Sequence, residues 1–140
     1  MTKILKTMHV QFLFVYGSLM RGASLDTHPL LAQHAAYVCA AMWQGRLYRV
    51  DYYPGAVKTQ TVSDRVHGEL YRLHEPGDLL ARLDQYEECA PEFPEPTEYV
   101  RSKESVVIEN GDSVRAWIYL YNWPLVKLER IESGDFRRGG

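Results

Sequence analysis

No apolar run in this chain approaches the roughly 20 residues that a membrane-spanning helix needs, which rules out a helical span from the sequence. The opening residues carry Lys3 and Lys6 but no apolar stretch of signal-peptide length, so the expectation is a protein that stays in the cytoplasm. Cysteine is scarce. Cys39 and Cys89 are too few for a disulfide framework, and in that compartment both are expected as reduced thiols. Metal-ligand spacing is missing as well: His9, His28, His34, His67 and His74 are scattered, with neither an HExxH run nor a paired CxxC, and no metal is expected. Neither sign of charge dominates. With 16 basic and 18 acidic residues the net charge is -2, which gives no electrostatic reason to bind nucleic acid or an anionic membrane and leaves a small neutral or anionic ligand open. The sequence has no internal repeat and no low-complexity tract.

What the chain does have is material for a core: 46% hydrophobic and 12% aromatic residues over 140 positions suit one globular domain spanning 1–140. Its organising stretch is Phe12, Leu13, Phe14, Val15 and Tyr16, apolar or aromatic on both alternating faces, which predicts a central strand. The run stops at Gly17, Ser18 and Leu19. A glycine there opens backbone angles closed to other residues and lets a ligand approach the main chain. The three amides beyond the strand ladder can converge on a carboxylate or a phosphate. A strand ending in a plain turn is the simpler alternative.

Further along, Asp26 or Thr27 can cap a short helix over Leu25 to Leu31 with Pro29 in its first turn. Ala35 to Val50 reads as two strands or one long bent one, with a break at Gln44 and Gly45. Pro54 and Gly55 suggest a tight turn. Val66 to Leu73 alternates as a strand, with Gly68 marking a bulge or a close approach. A helix introduced by Pro76, Gly77 and Asp78 places Leu79, Leu80, Leu83 and Tyr86 at helical spacing. The proline-rich stretch from Pro91 to Pro96 is a loop. Tyr99 to Glu109 and Ser113 to Tyr121 form a hairpin through Asn110 and Gly111, a pair suited to positive φ at both central positions. On the second strand Arg115, Trp117, Tyr119 and Tyr121 share one face and Val114, Ala116, Ile118 and Leu120 the other. One face is core and the other offers phenol hydroxyls to a cavity.

The residue with chemistry is at the end of the second helix. Glu87 lies four positions beyond Leu83 and seven beyond Leu80, on the apolar stripe, whereas Glu88 falls beside Asp84 on the wetter side. Apolar neighbours and the negative end of the helix dipole both raise the pKa of a carboxyl there toward the range of a general base. A last-turn glutamate bent out to solvent is the alternative.

VYGSL at 15–19, YPGA at 53–56, HGELY at 67–71, LDQYE at 83–87, YVR at 99–101 and IESGDF at 131–136 follow one another in an order that resembles the gamma-glutamylcyclotransferase-like family. The resemblance implies an α+β fold, a small mixed barrel-like sheet flanked by helices, with the glycine loop and the helix-end glutamate at one cavity. It implies a cofactor-independent enzyme whose substrate is a gamma-glutamyl amine, amide or peptide and whose products are 5-oxoproline and the freed amine. Carried over by motif, Tyr16, Gly17, Ser18 and Leu19 hold the glutamyl carboxylate, Glu87 is the catalytic acid and base, and Tyr99 and Tyr119 belong to the pocket. Two departures stand out: Glu88 replaces the glycine common after the catalytic glutamate, putting a second carboxylate near the first, and the loop from Cys89 to Glu98 is long and shapes the leaving-group side if it borders the pocket. A binding or interaction module that keeps the cavity without turnover is the competing class. Thiol catalysis by Cys89 lacks a positive neighbour. Partners beyond the small-molecule substrate are not implied, and the oligomeric state is left open.

Overall fold

A computed structural model describes residues 10–22 and 25–138; Lys3, Lys6 and His9, on which the reading of the opening segment drew, lie outside them. Apolar residues on both faces make β1 (Gln11–Val15) an inner strand, antiparallel to β4 (Arg65–Leu73) and parallel to β6 (Ser113–Tyr121). β2 (Ala35–Arg49) is one continuous strand of 15 residues, bent by a register shift between Tyr37 and Cys39. It pairs with β4 as far as Gln44, and from Gly45 onward with β3 (Pro54–Lys58), so the expected break is where the strand changes partner. β5 (Tyr99–Ile108) pairs with β6 along its length and meets β2 at Ala41↔Ile108 and Met42↔Val107. That pairing closes β2, β4, β1, β6 and β5 into a five-stranded mixed barrel, while β3 and β7 (Glu129–Arg130) extend the second half of β2. The helices α1 (Pro29–Ala32) and α2 (Pro76–Tyr86) and a 3-10 turn at Phe136–Arg138 complete the α+β fold.

The barrel interior takes one face of every strand: Phe14, Ala41, Leu70, Val106, Ala116 and Ile118 are buried together. The outer face of β1, Leu13 and Val15, is buried in a second cluster with Leu79, Leu80 and Leu83 of α2 and Tyr119 and Tyr121 of β6. Each leucine, valine, isoleucine or phenylalanine among them contributes about 1.5–3 kcal/mol over leaving it in water. The inner strand, its exit and the end of α2 are thereby tied to one core. Gly68 is the close approach expected of it, since a Cβ there would lie 2.3 Å from the Val15 carbonyl oxygen. Among the described residues no helix is long and apolar enough to cross a membrane.

Three local expectations are corrected. Pro54 and Gly55 open a strand and do not form the turn; the reversal precedes them, where Val50 and Asp51 N–H donate to the Tyr53 carbonyl at 3.0 and 3.2 Å. Gly55 is required by packing, because a Cβ would meet the Tyr121 side chain at 2.7 Å, and Pro54 is tolerated as the first residue of an edge strand. The Asn110–Gly111 hairpin forms, but only Gly111 has positive φ, at 90°. Gly111 N–H donates to the Ile108 carbonyl and Ile108 N–H to the Asp112 carbonyl, both at 2.9 Å, a three-residue loop in which glycine alone bears the left-handed angle. Finally, α1 starts at Pro29 and is capped by His28, whose Nδ1 accepts Leu30 N–H at 3.1 Å, and not by Asp26 or Thr27. Proline holds the residue before it in an extended conformation, so the helix cannot begin earlier.

Candidate active site

Separate segments of the chain converge on a cavity of about 270 Å³. The turn after β1 gives Tyr16 to Leu19, the end of α2 gives Tyr86, Glu87 and Glu88, and a third wall combines Tyr52, Tyr53 and Pro54 with Glu98 and Tyr99. Tyr119 of β6 also lines it, so all seven residues singled out from the sequence meet at one place.

The turn is held from several sides. Met20 N–H donates to the Gly17 carbonyl at 3.0 Å, leaving Ser18 and Leu19 at its centre, outside any strand. Gly17 does not use positive φ; its lack of a side chain matters because a Cβ would lie 3.0 Å from the Pro54 ring. The buried Tyr16 hydroxyl donates to the Tyr119 carbonyl at 2.5 Å and accepts Ala56 N–H at 3.2 Å, tying the exit of β1 to β6 and β3. Ser18 Oγ and the Tyr86 hydroxyl, 3.0 Å apart, join the turn to α2. Behind the turn, Glu69 of β4 accepts both Arg21 N–H at 2.9 Å and Arg21 Nε–H at 3.2 Å. Its burial was not visible in the sequence.

The helix ends in a left-handed cap. Cys89 N–H donates to the Asp84 carbonyl at 2.9 Å and Glu88 N–H to the Gln85 carbonyl at 3.1 Å, with Glu88 at φ 57°. The backbone thus keeps the turn that favours glycine although glutamate occupies it. Leu79, Leu80 and Leu83 form the buried stripe as expected, but Tyr86 is 46% exposed and lies off it. Glu87 is largely buried, whereas Glu88 is exposed. Asp84 is not on a wet face: it accepts Arg101 Nε–H at 2.9 Å and Nη2–H at 3.2 Å, and the Tyr119 hydroxyl at 2.7 Å.

The Glu87 carboxyl has no hydrogen bond to a described residue. Burial first, and then the negative charge of Glu98, raise its pKa from 4.5 to about 7. The second carboxylate acting on it is therefore Glu98, where the sequence pointed to Glu88. Within the long loop from Cys89, Glu98 is the one described residue that lines the cavity. No periodicity marks it; its place directly before Tyr99 was the available signal. Tyr99 and Tyr119 form walls with hydroxyls already engaged, Tyr99 donating to the Pro54 carbonyl at 2.5 Å and Tyr119 to Asp84. The Cys89 thiol is pushed up to about 12, by burial and then by Asp84, which is the wrong direction for a nucleophile. Among the described residues no three His, Cys, Asp or Glu side chains come together as a metal-ligand set.

The chain is similar to known proteins over most of its length. The family described as "Gamma-glutamyl cyclotransferase, AIG2-like" matches residues 13–138. The gamma-glutamylcyclotransferase family protein YtfP of Escherichia coli K12 is 32% identical over 124 residues, which cover 89% of this chain and 94% of YtfP. Among solved structures, YkqA of Bacillus subtilis superposes with a TM-score of 0.68 at 27% identity over 92% of this chain, which spans only 40% of YkqA. An AIG2-like protein of Mus musculus superposes with a TM-score of 0.67 at 26% identity, covering 89% of this chain and 87% of the mouse chain. Matched by that family over residues 13–138 and 32% identical to YtfP over 89% of its length, this chain belongs to the AIG2-like gamma-glutamyl cyclotransferase family.

Proposed function

We propose that the protein is a gamma-glutamyl cyclotransferase, releasing 5-oxoproline and a free amine from a gamma-glutamyl amine, amide or peptide, with Glu87 as the proton carrier. The observation that carries this reading is a largely buried carboxyl with no hydrogen bond to a described residue, in the same cavity as the turn after β1, where burial and Glu98 raise its pKa to about 7. The amides of Gly17, Ser18 and Leu19 hold the substrate's α-carboxylate. Glu87 takes a proton from the α-amine, the nitrogen attacks the gamma-carbonyl carbon of the same molecule, and Glu87 returns the proton to the departing nitrogen. Near neutral pH both protonation states of such a group are populated, as one residue serving both steps requires. Because the attack is intramolecular, holding the glutamyl chain curled accounts for much of the acceleration.

Incubating the purified protein with a panel of gamma-glutamyl amines and dipeptides and measuring 5-oxoproline tests the reading. Glu87→Gln is expected to lose a factor of roughly 10² to 10⁴, about 3 to 5 kcal/mol of barrier lowering, with the fold intact. Retention of activity by Glu87→Gln together with its loss in Glu88→Gln would show that the wrong glutamate was chosen. Binding without release of 5-oxoproline from any panel member would favour a non-catalytic binding module.

A further inference from the structure

The charges of the cavity are one-sided. Among the described residues its walls carry Glu87, Glu88 and Glu98 and no Lys, Arg or His. Arg21 and Arg101, which flank it in sequence, are paired with Glu69 and Asp84. The third wall is also aromatic: Tyr53 packs at 5.1 Å from Tyr52 and 6.2 Å from Tyr99, centroid to centroid. Glu98 stands in this wall, fixed through Oε2 by the Tyr53 hydroxyl at 2.6 Å, while its Oε1 has no hydrogen bond to a described residue. Tyrosine faces around a fixed carboxylate hold an ammonium and repel an anion.

If the glutamyl end occupies the turn and Glu87, as in the function proposed above, the part of the substrate left for the third wall is the amine to be released. We propose that Glu98, with Tyr52 and Tyr53, selects gamma-glutamyl conjugates whose amine part carries a second nitrogen as an ammonium and has no carboxylate, that is, conjugates of a diamine. This deepens that reading and rests on it. In the reaction the bond from the α-nitrogen to the gamma-carbonyl carbon forms and the bond from that carbon to the departing nitrogen breaks. One proton passes through Glu87 from the first nitrogen to the second. The distal ammonium keeps its proton throughout and stays against Glu98.

The test compares kcat/KM for gamma-glutamyl conjugates of 1,4-diaminobutane, butylamine and 4-aminobutyrate, matched in length and measured on the alkaline side of the Glu87 titration. The wild type is expected to favour the diamine conjugate over the neutral one by about 10- to 100-fold, with the carboxylate conjugate poorest. Added salt should shrink that advantage. Glu98→Gln should bring the diamine-to-butylamine ratio within about 3-fold, while Glu98→Asp, and Tyr53→Phe, which keeps the charge but removes the hydroxyl that fixes it, should each keep part of it. A wild type with no preference, or a Glu98→Gln variant slowed equally on all three conjugates, would overturn the proposal. Release of 5-oxoproline from any conjugate upholds the reaction whatever the ranking. Should none be released, the dissociation constants of the same three conjugates read the preference directly: diamine binding tightest supports it, and equal binding ends it.

Discussion

Two glutamates are carried into the interior, and the protein treats them in opposite ways. Glu69, on β4 beneath the turn, is 2% exposed and gathers donors: the Arg21 amide and guanidinium, the Tyr71 hydroxyl at 3.1 Å and Arg137 Nη1 at 3.5 Å. Glu87, at the end of α2, is also largely buried and gathers none from the described residues, facing a cavity whose other charged walls are the carboxylates of Glu88 and Glu98. A buried carboxylate met by cations is a fastening, and removing it strands its partners. One left unmet has its proton affinity raised, and that is the condition for proton transfer near neutral pH. Burial alone does not distinguish an anchor from a candidate proton carrier; the partners do.

Removing each acid should therefore have opposite consequences for stability. Glu69→Ala, which leaves Arg21 half-buried without its partner, is expected to cost about 3–5 kcal/mol in urea denaturation. Glu87→Gln should do the reverse. Its folded pKa of about 7 lies above the ordinary 4.5, so the native state binds the proton more tightly than the unfolded chain. The stability this provides is complete below 4.5 and is lost as pH rises through about 7. At pH 8 the variant should exceed the wild type by about 2 kcal/mol, and the difference should disappear near pH 4.5; denaturation at both pH values checks it. The smallest effect belongs to Glu88→Gly, which relieves a left-handed residue at φ 57° and should add about 0.5–1 kcal/mol, read as a rise in Tm.

The difference between the two acids also marks what the sequence could tell. β1 was legible because both of its faces are apolar, and Glu87 because the phase of Leu80 and Leu83 carries through to it. Alternation put Glu69 and Tyr71 on one face of β4. Its cations, however, come from 48 and 68 positions away, and no local pattern brings Arg21 and Arg137 to it. Glu98 follows a proline-rich stretch without period, so its entry into the cavity depends on Tyr53 across a separate segment. Pro54 and Gly55 read locally as a turn, and the Tyr121 ring lying over Gly55 decides otherwise.

The most direct measurement is a titration of the Glu87 side-chain carboxyl by ¹³C NMR in the intact protein, with Glu87→Gln used to assign the resonance. A midpoint close to 7, moving down in Glu98→Gln as the neighbouring charge is removed, is the expected result. A midpoint near 4.5 that ignores Glu98 would mean that the carboxyl is solvated or paired, and the contrast with Glu69 would fall with it.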